Sequence, residues 1–294
     1  MPNGPHTSLV EVRRVNGDLA APSRDKVAIE EPLEIQVGLE RRGMRAIRSI
    51  SVTMRTPGQD DELAAGFLFA EGVLNRRSDV TGMEFPALEG DGSTNTVRLH
   101  LKAGVSVDFK QLERHSFTAS SCGICGKATL EAVRKLARTL SPRPVDAFRV
   151  SADIIHRLPA RLRASQQIFE HTGGLHAAAL FDAAGNLCSV REDVGRHNAV
   201  DKVIGGAWLN DRIPLSDKIL FVSGRASFEL IQKTVRAGIP IFAAVGAPSS
   251  LAIELAEACG LTLLGFVRDA RFNIYSASHR LDTMHQSPEA AIVA

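Results

Sequence analysis

Residues 218–269, KILFVSGRASFELIQKTVRAGIPIFAAVGAPSSLAIELAEACGLTLLGFVRD, alternate short apolar runs with longer segments in which apolar residues recur at helical spacing. The runs KILFVSG, IPIFAAVG and LTLLGFVRD have the length and composition of buried strands, and the segments between them predict helices. A chain that alternates strands and helices in this way forms a layered α/β domain with part of its sheet parallel. This stretch therefore decides the fold class of the second half of the chain.

The segments around this stretch predict the other elements. HAAALFDAAGNLCSVRED predicts a hairpin and NAVDKVIGGAWLN a helix. Upstream, LEIQVGL and RSISVTMRTPG predict a second hairpin, DDELAAGFLFAEGVL a helix with acids in its first turn, TNTVRLHLK a strand and ATLEAVRKLART a helix. The proline-containing segment LSPRPVDAF reads as a linker. We thus expect an irregular tail at 1–25, a small α+β domain at 26–147 and a larger α/β domain at 148–294.

Composition excludes several classes of protein. The 35 basic side chains nearly balance the 33 acidic ones in this chain of 294 residues, so net charge predicts neither nucleic-acid binding nor a membrane surface. The first residues hold no apolar run of signal-peptide length, and no later run approaches the ~18 residues of a spanning helix. Four cysteines are too few for a secreted disulfide scaffold. We expect a cytoplasmic protein.

SSCGICGK at 120–127 places Cys122 and Cys125 two residues apart between a small-residue loop and a predicted helix. A helix start and a nearby lysine favour the thiolate form, and the glycines leave room for an incoming sulfur. Structural zinc would need two further ligands, whereas Cys188 and Cys259 stand alone and read as buried core thiols. Sulfur or thiol chemistry is the favoured interpretation, with a metal clamp and a purely structural pair as alternatives.

Two kinds of polar loop predict a binding site in the second half. REDVGRHNAVDK at 191–202 packs many charged side chains beside a helix start, and we expect Arg196 and His197 to face a ligand there; a solvated helix face is the alternative. SGRAS, with Ser223, Gly224 and Arg225, and GAPSS each follow a strand and open a helix. Such loops bind phosphate in open α/β sheets, although ordinary serine capping also explains each one.

GFVRDARFNIYS at 265–276 sets Arg268 and Arg271 beside Phe266, Phe272 and Tyr275. An arginine and aromatic cluster can stack a base or a pterin while it pairs a phosphate. The same residues equally suit an edge strand whose arginines extend into solvent. Sequence alone leaves both interpretations open.

Six segments together resemble one family, the formate dehydrogenase accessory sulfurtransferases. They are TPGQDDELAAGFLFAEGV, SSCGICG, HTGGLHAAAL, REDVGRHNAVDKVIG, SGRASFELIQKTVRAGIP and GFVRDARFNIY, which lie in order between residues 56 and 275. The resemblance covers most of the chain and leaves out the N-terminal tail and about the last twenty residues.

The resemblance implies a cytosolic carrier of persulfide sulfur. A cysteine desulfurase would load Cys122, with Cys125 as its partner thiol, and the sulfur would pass to the molybdenum of bis-molybdopterin guanine dinucleotide for formate dehydrogenase. The family's cofactor-contacting segment would correspond to Phe266, Val267, Arg268, Asp269, Ala270 and Arg271. It further implies a homodimer and a three-layer α/β domain similar to cytidine deaminases without their zinc site. A cofactor-binding chaperone without chemistry and a thiol-disulfide oxidoreductase are the alternatives.

Overall fold

The computed structural model describes residues 6–41, 44–87, 94–109, 147–268 and 270–282. The strands are β1 (Thr7–Asn16), β2 (Leu19–Ala28), β3 (Glu31–Arg41), β4 (Met44–Arg55), β5 (Val80–Glu84), β6 (Thr96–Leu101), β7 (Val150–Ser151), β8 (His176–Phe181), β9 (Leu187–Asp193), β10 (Ile219–Val222), β11 (Ile241–Ala244), β12 (Thr262–Arg268), β13 (Arg271–Ser276) and β14 (Leu281–Asp282). The helices are α1 (Asp60–Ala70), α2 (Ala152–Ser165), α3 (Gln167–Thr172), α4 (Arg196–Leu209), α5 (Phe228–Arg236) and α6 (Ser250–Cys259). Within these ranges no helix has the length and apolar content to cross a membrane.

A six-stranded sheet organises the second half of the chain. Its order is β13-β12-β11-β10-β8-β9, in which β10, β11 and β12 are parallel and the other pairings are antiparallel. The crossovers that parallel strands require are supplied by α5 and α6. The predicted strand and helix alternation of residues 218–269 is confirmed.

Both faces of this sheet are covered by helices. Along β10, Leu220 and Val222 lie in a buried core with α4, α5 and α6, whereas Ile219 and Phe221 lie in a second core with α2. Successive side chains of a strand point to opposite faces, so the continuous apolar run ILFV indicates a strand buried on both sides. The expected three-layer α/β arrangement is confirmed.

The first half packs on this layer through α1. The four-stranded sheet β4-β3-β6-β5 covers one side of α1, and α4 covers the other. A Cβ atom at Gly66 would collide with the carbonyl oxygen of Asp201, and one at Gly205 with that of Glu62, so the two helices meet backbone to backbone. One buried core therefore runs through both halves. The predicted domain boundary at 148 lies beside residues outside the described ranges and stays a prediction.

Three expectations about individual segments need correction. Most of the segment 1–25, expected to be irregular, lies in the antiparallel hairpin β1–β2, whose two-residue turn at Gly17 and Asp18 has a positive φ at the glycine. Strands whose side chains are mostly exposed on both faces show little apolar alternation, which explains why sequence missed them. Helices α2 and α3 were not predicted at all. Cys188, expected in the core, is exposed on β9, whereas Cys259 is buried as expected.

Candidate ligand-binding site

One edge of the six-stranded sheet collects the predicted polar loops. We call it the loop edge and define it by His176, residues 194–197, 223–227 and 245–249, and the described residues of 266–271. The carboxyl ends of β9, β10, β11 and β12 and the first residues of β8 and β13 all lie there, because antiparallel neighbours start where the others end. Ligands of open α/β sheets bind at this kind of edge.

The loops after β10 and β11 are bonded to each other through their backbones. The amide of Gly246 donates to the carbonyl of Gly224 at 3.0 Å, and the amide of Ala226 donates to that of Ala247 at 3.1 Å. The amide of Phe266 extends the series by donating to Gly246 at 3.2 Å. The two predicted loops therefore form one continuous surface, as expected for loops that follow parallel neighbours.

The predicted residues of the first loop differ in what they offer a ligand. The hydroxyl oxygen of Ser223 accepts from the amide of Ala177 at 2.9 Å, and its amide donates to the carbonyl of Ala177 at 3.0 Å, so Ser223 extends the pairing of β8 with β10. Arg225 is exposed. Gly224 lies between them without a side chain, which leaves its surface open.

Arg196 and His176 lie against Gly224. A Cβ atom on Gly224 would be 3.4 Å from His176 Nδ1 and 3.8 Å from Arg196 Cδ. Arg196 Nε is buried and has no hydrogen-bond partner within the described part of the chain. Burial lowers the pKa of His176, the positive charges of Arg196 and His197 lower it further, and Asp193 opposes them. The Gly-Gly turn of HTGGLH marks both His171 and His176 in the sequence, and the fold places His176 at the loop edge.

His197 connects the first turns of two helices. Its Nε2 lies 2.9 Å from Glu229 Oε2 and 3.2 Å from Ser227 Oγ, so it joins the start of α4 to the start of α5. These contacts hold the loop after β10 in place beside Arg196. Its predicted contact with a ligand stays a prediction.

The segment 266–271 includes the end of β12 and the first residue of β13. Phe266 has φ 53° and is 37% exposed, and the guanidinium carbon of Arg268 lies 5.9 Å from its ring centroid. Backbone of this kind is costly for a bulky residue and is found mainly at functional sites. Val267 is fully buried, Arg268, Ala270 and Arg271 are exposed, and Asp269 lies outside the described residues.

The three aromatic residues of 265–276 have different surroundings. Phe272 packs on His156 with ring centroids 5.1 Å apart, and the Tyr275 ring lies against Gly265. Only Phe266 is exposed beside the arginines. The interpretation of β13 as an edge strand is confirmed, and the ligand role of the cluster stays a prediction.

Most of the charged stretch 191–202 is bonded inside the protein. Asp193 and Lys202 are fully buried and their charged atoms are 2.7 Å apart. Lys202 Nζ donates to the carbonyl of Thr56 at 2.8 Å, and the amide of Thr56 donates to Asp193 Oδ2 at 3.3 Å. Asn198 Nδ2 donates to Asp193 Oδ1 at 3.0 Å and to the carbonyl of Met54 at 2.8 Å. We call Thr56, Asp193, Asn198 and Lys202 the clasp, since they join β4 to α4.

The remaining polar side chains of this stretch also have partners, with one exception. Arg191 pairs with Glu62, Glu192 accepts the amides of Ile168 and Phe169, and Asp201 pairs with Lys233 at 2.7 Å. Only Arg196 has no polar partner among the described residues. Most charges of this stretch therefore stabilise the fold, and the expectation that Arg196 and His197 face a ligand stays a prediction.

Comparisons with known proteins identify the family to which the chain belongs. The FdhD/NarQ family model matches residues 28–282. The chain belongs to the FdhD/NarQ family. It is 49% identical to "Sulfur carrier protein FdhD" of Mycolicibacterium paratuberculosis, over 94% of this chain and 98% of that protein. It is 40% identical to the protein of the same name from Saccharolobus solfataricus, over 95% and 99%.

A solved structure shares the fold. It comes from Desulfotalea psychrophila, and its description proposes a formate dehydrogenase accessory protein. The TM-score is 0.70 at 23% identity, covering 94% of this chain and all of that one. The FdhD/NarQ match includes the loop edge and the clasp, and it leaves out β1.

Cys122 and Cys125 lie outside the described residues, so their roles stay predictions from the sequence. Within the described ranges, no group of three or more His, Cys, Asp or Glu side chains is placed to hold a metal ion.

Proposed function

We propose that this chain carries persulfide sulfur from a cysteine desulfurase to the molybdenum of bis-molybdopterin guanine dinucleotide, and that formate dehydrogenase receives the sulfurated cofactor. One observation carries the proposal: the chain is 49% identical, over nearly its full length, to a relative named as a sulfur carrier. The Cys-x-x-Cys sequence supplies the type of nucleophile that such a carrier needs.

The loading step is a thiol exchange that needs no external oxidant. The Cys122 thiolate attacks the terminal sulfur of the desulfurase persulfide, so a bond forms between that sulfur and Cys122 Sγ. The bond to the desulfurase cysteine breaks, and that cysteine leaves as a thiolate. The sulfur stays at the same oxidation level throughout.

Cys125 provides a route for release. Its thiolate can attack Cys122 Sγ, which forms a disulfide between the two residues and expels the terminal sulfur as hydrosulfide. Two equivalents of a small-molecule thiol, or one protein dithiol, then reduce this disulfide, which restores both thiols and leaves the reductant as a disulfide. Hydrosulfide is the form in which the sulfur would reach the metal.

The loop edge supplies groups that fit the phosphates and rings of this substrate. Arg225, Arg268 and Arg271 are exposed cations along one edge, suited to pyrophosphate. Phe266 is exposed in a backbone conformation that is costly for it, as expected for a residue placed for stacking. Val267, which is buried, would contribute only its backbone.

The test is intact-protein mass spectrometry after incubation with a cysteine desulfurase and cysteine. Wild type should gain one sulfur, and Cys122→Ala should gain none. Cys188→Ala is the matched control, since Cys188 is an exposed thiol that does not belong to the Cys-x-x-Cys sequence, and its removal should leave the adduct. Absence of an adduct on wild type, or its loss only with Cys188, would contradict the carrier function.

A second candidate is a cofactor-binding chaperone without sulfur chemistry. The loop edge favours it, because the binding groups lie on the described sheet and involve neither Cys122 nor Cys125. This function predicts that Cys122→Ala retains both the cofactor and the activation of formate dehydrogenase, whereas the carrier function predicts loss of activation.

The proposal includes a cytoplasmic homodimer, as the family resemblance implies. Sedimentation equilibrium of the full chain tests the oligomeric state, since a mass near that of one 31.6 kDa chain at micromolar concentration would contradict the dimer.

A further inference from the structure

His176 and Arg196 approach the loop edge from different elements. His176 is the first residue of β8, and Arg196 is the first residue of α4. Both lie within contact distance of the position that a Gly224 side chain would occupy, at 3.4 Å and 3.8 Å. Because Gly224 has no side chain, the space above it is bordered by the His176 imidazole and by Arg196 Cδ, the carbon bonded to Nε.

Arg196 has unused hydrogen-bonding capacity at this place. Its Nε is buried without a hydrogen-bond partner among the described residues. A buried charged donor without a partner costs free energy, and native proteins retain such groups mainly where a ligand or water completes them. A phosphate oxygen is the acceptor that a guanidinium binds best.

His176 lies in a field that disfavours its protonation. The charged and titratable groups around it are Asp193, opposite it on β9, and Arg196 and His197 on α4, while the adjoining loop carries Arg225. Burial and the two α4 side chains lower its pKa, against Asp193. An anion bound above Gly224 would reverse the balance, because negative charge favours the imidazolium form.

We propose that His176 and Arg196 together bind one phosphate of the ligand above Gly224, and that His176 takes up a proton from solvent when that phosphate binds. The inference rests on the proposed function only in taking the ligand to be a nucleotide-bearing cofactor. It adds His176 to the site and makes affinity depend on pH. The affinity for the phosphate then falls as pH rises, because the protonated imidazole is lost.

The probe is diguanosine pyrophosphate, in which a pyrophosphate bridge joins two guanosines. Each of its phosphates has one ester bond, one anhydride bond and a single acidic group that stays ionised between pH 5 and pH 9, so any proton that is taken up at pH 6.5 binds to the protein. Isothermal titration calorimetry at pH 6.5 in buffers of different ionisation enthalpy counts that proton, and guanosine serves as the ligand without phosphate.

The wild type should take up a fraction of a proton with the probe and none with guanosine. His176→Gln should abolish the uptake and weaken binding about tenfold at pH 6, with a smaller loss at pH 8. His171→Gln is the matched control, since His171 is exposed on α3 and its Nδ1 is hydrogen-bonded to the carbonyl of Gln167 in the same helix. It should behave as wild type.

Three outcomes would overturn the inference: no binding of the probe to wild type, binding without proton uptake, or uptake that persists in both His176→Gln and His176→Ala. Persistent uptake that disappears in His197→Gln would assign the proton to His197 instead. None of these outcomes bears on the sulfur adduct of Cys122, so the carrier function is tested separately.

Discussion

Along residues 191–202, side chains that stabilise the body of the protein alternate with side chains at the loop edge. Asp193, Asn198 and Lys202 are buried in the clasp, and each has several short hydrogen bonds. Arg196 and His197 lie between them in sequence, and Arg196 Nε has no partner in the described part of the chain. The two groups lie in one stretch of twelve residues, and each contains charged side chains.

The difference between them is the completeness of their hydrogen bonding. Asp193 accepts from three groups besides Lys202, which leaves its carboxylate no capacity for a ligand. A buried charge with all its partners present is a structural element, whereas a partly buried charge without partners indicates a binding function. A dense run of charges in sequence does not distinguish the two.

The largest expected effect comes from removing the cation of the clasp. Lys202→Met leaves the Asp193 carboxylate buried without its counter-ion, and we expect the free energy of unfolding to fall by about 3–5 kcal/mol. Urea unfolding followed by circular dichroism measures it. The double variant Asp193→Asn with Lys202→Met should recover part of the loss, because no charge is then left buried. A loss below about 1 kcal/mol for Lys202→Met would contradict the clasp.

A second variant tests how closely α1 packs against α4, the helix that carries Asn198 and Lys202 of the clasp. In Gly66→Ala the new methyl group meets the Asp201 carbonyl on α4, so α1 and α4 must separate. We expect a loss of about 1–3 kcal/mol in urea unfolding, despite the better helix propensity of alanine. Gly82→Ala is the control, since a Cβ atom there would meet only His100 Cδ2 at 3.9 Å. Equal stability of Gly66→Ala and wild type would show that the helices have room to move.

Sequence predicted most of the elements that have one buried face or two, with α2 as an exception. Residues 218–269 and the β3–β4 hairpin bury their apolar side chains in a regular pattern, and their periodicity was sufficient. The hairpin β1–β2 lacked that signal, because most of its side chains are exposed. The loop edge was predictable as well, since the loops that follow parallel neighbours meet at one edge of a sheet.

The hydrogen-bond partners of the clasp and loop-edge residues could not be predicted from the periodicity of the sequence. The bond between Thr56 and Asp193 joins residues 137 positions apart, and nothing local to either marks it. The same holds for His197, whose partners Ser227 and Glu229 are about thirty residues further along the chain. The density of charged residues in the sequence therefore identified the region. Only the fold showed which of these residues belong to the clasp and which to the loop edge.

If the loop edge and the clasp differ as described, Arg196→Met weakens ligand binding and leaves stability nearly unchanged, whereas Lys202→Met lowers stability. The variant keeps the apolar stem and removes a guanidinium whose Nε has no partner, so the unfolding free energy should change by no more than about 0.5 kcal/mol. Affinity for diguanosine pyrophosphate should fall about tenfold or more. Arg225→Met, at an exposed arginine of the same edge, should weaken binding less. A stability loss in Arg196→Met as large as that of Lys202→Met would assign Arg196 to the body of the protein.

The smallest expected effect concerns acid. The pKa of His176 is lowered from 6.5 by burial and by the positive charges of Arg196 and His197, so below pH 6.5 the unfolded chain binds a proton that the folded chain binds less well. The ligand-free protein therefore loses stability through His176 as pH falls from 6.5 toward the lowered value. His176→Gln removes this contribution, and its unfolding free energy should fall less than that of wild type between pH 7.5 and pH 5.5, with His171→Gln as control.

The probe should reduce the loss of stability of wild type in acid, because the bound phosphate supplies a negative charge beside the imidazolium. Identical acid losses in wild type and His176→Gln would mean that His176 is as easily protonated in the fold as in water, and the loop edge would then differ from the clasp only through Arg196.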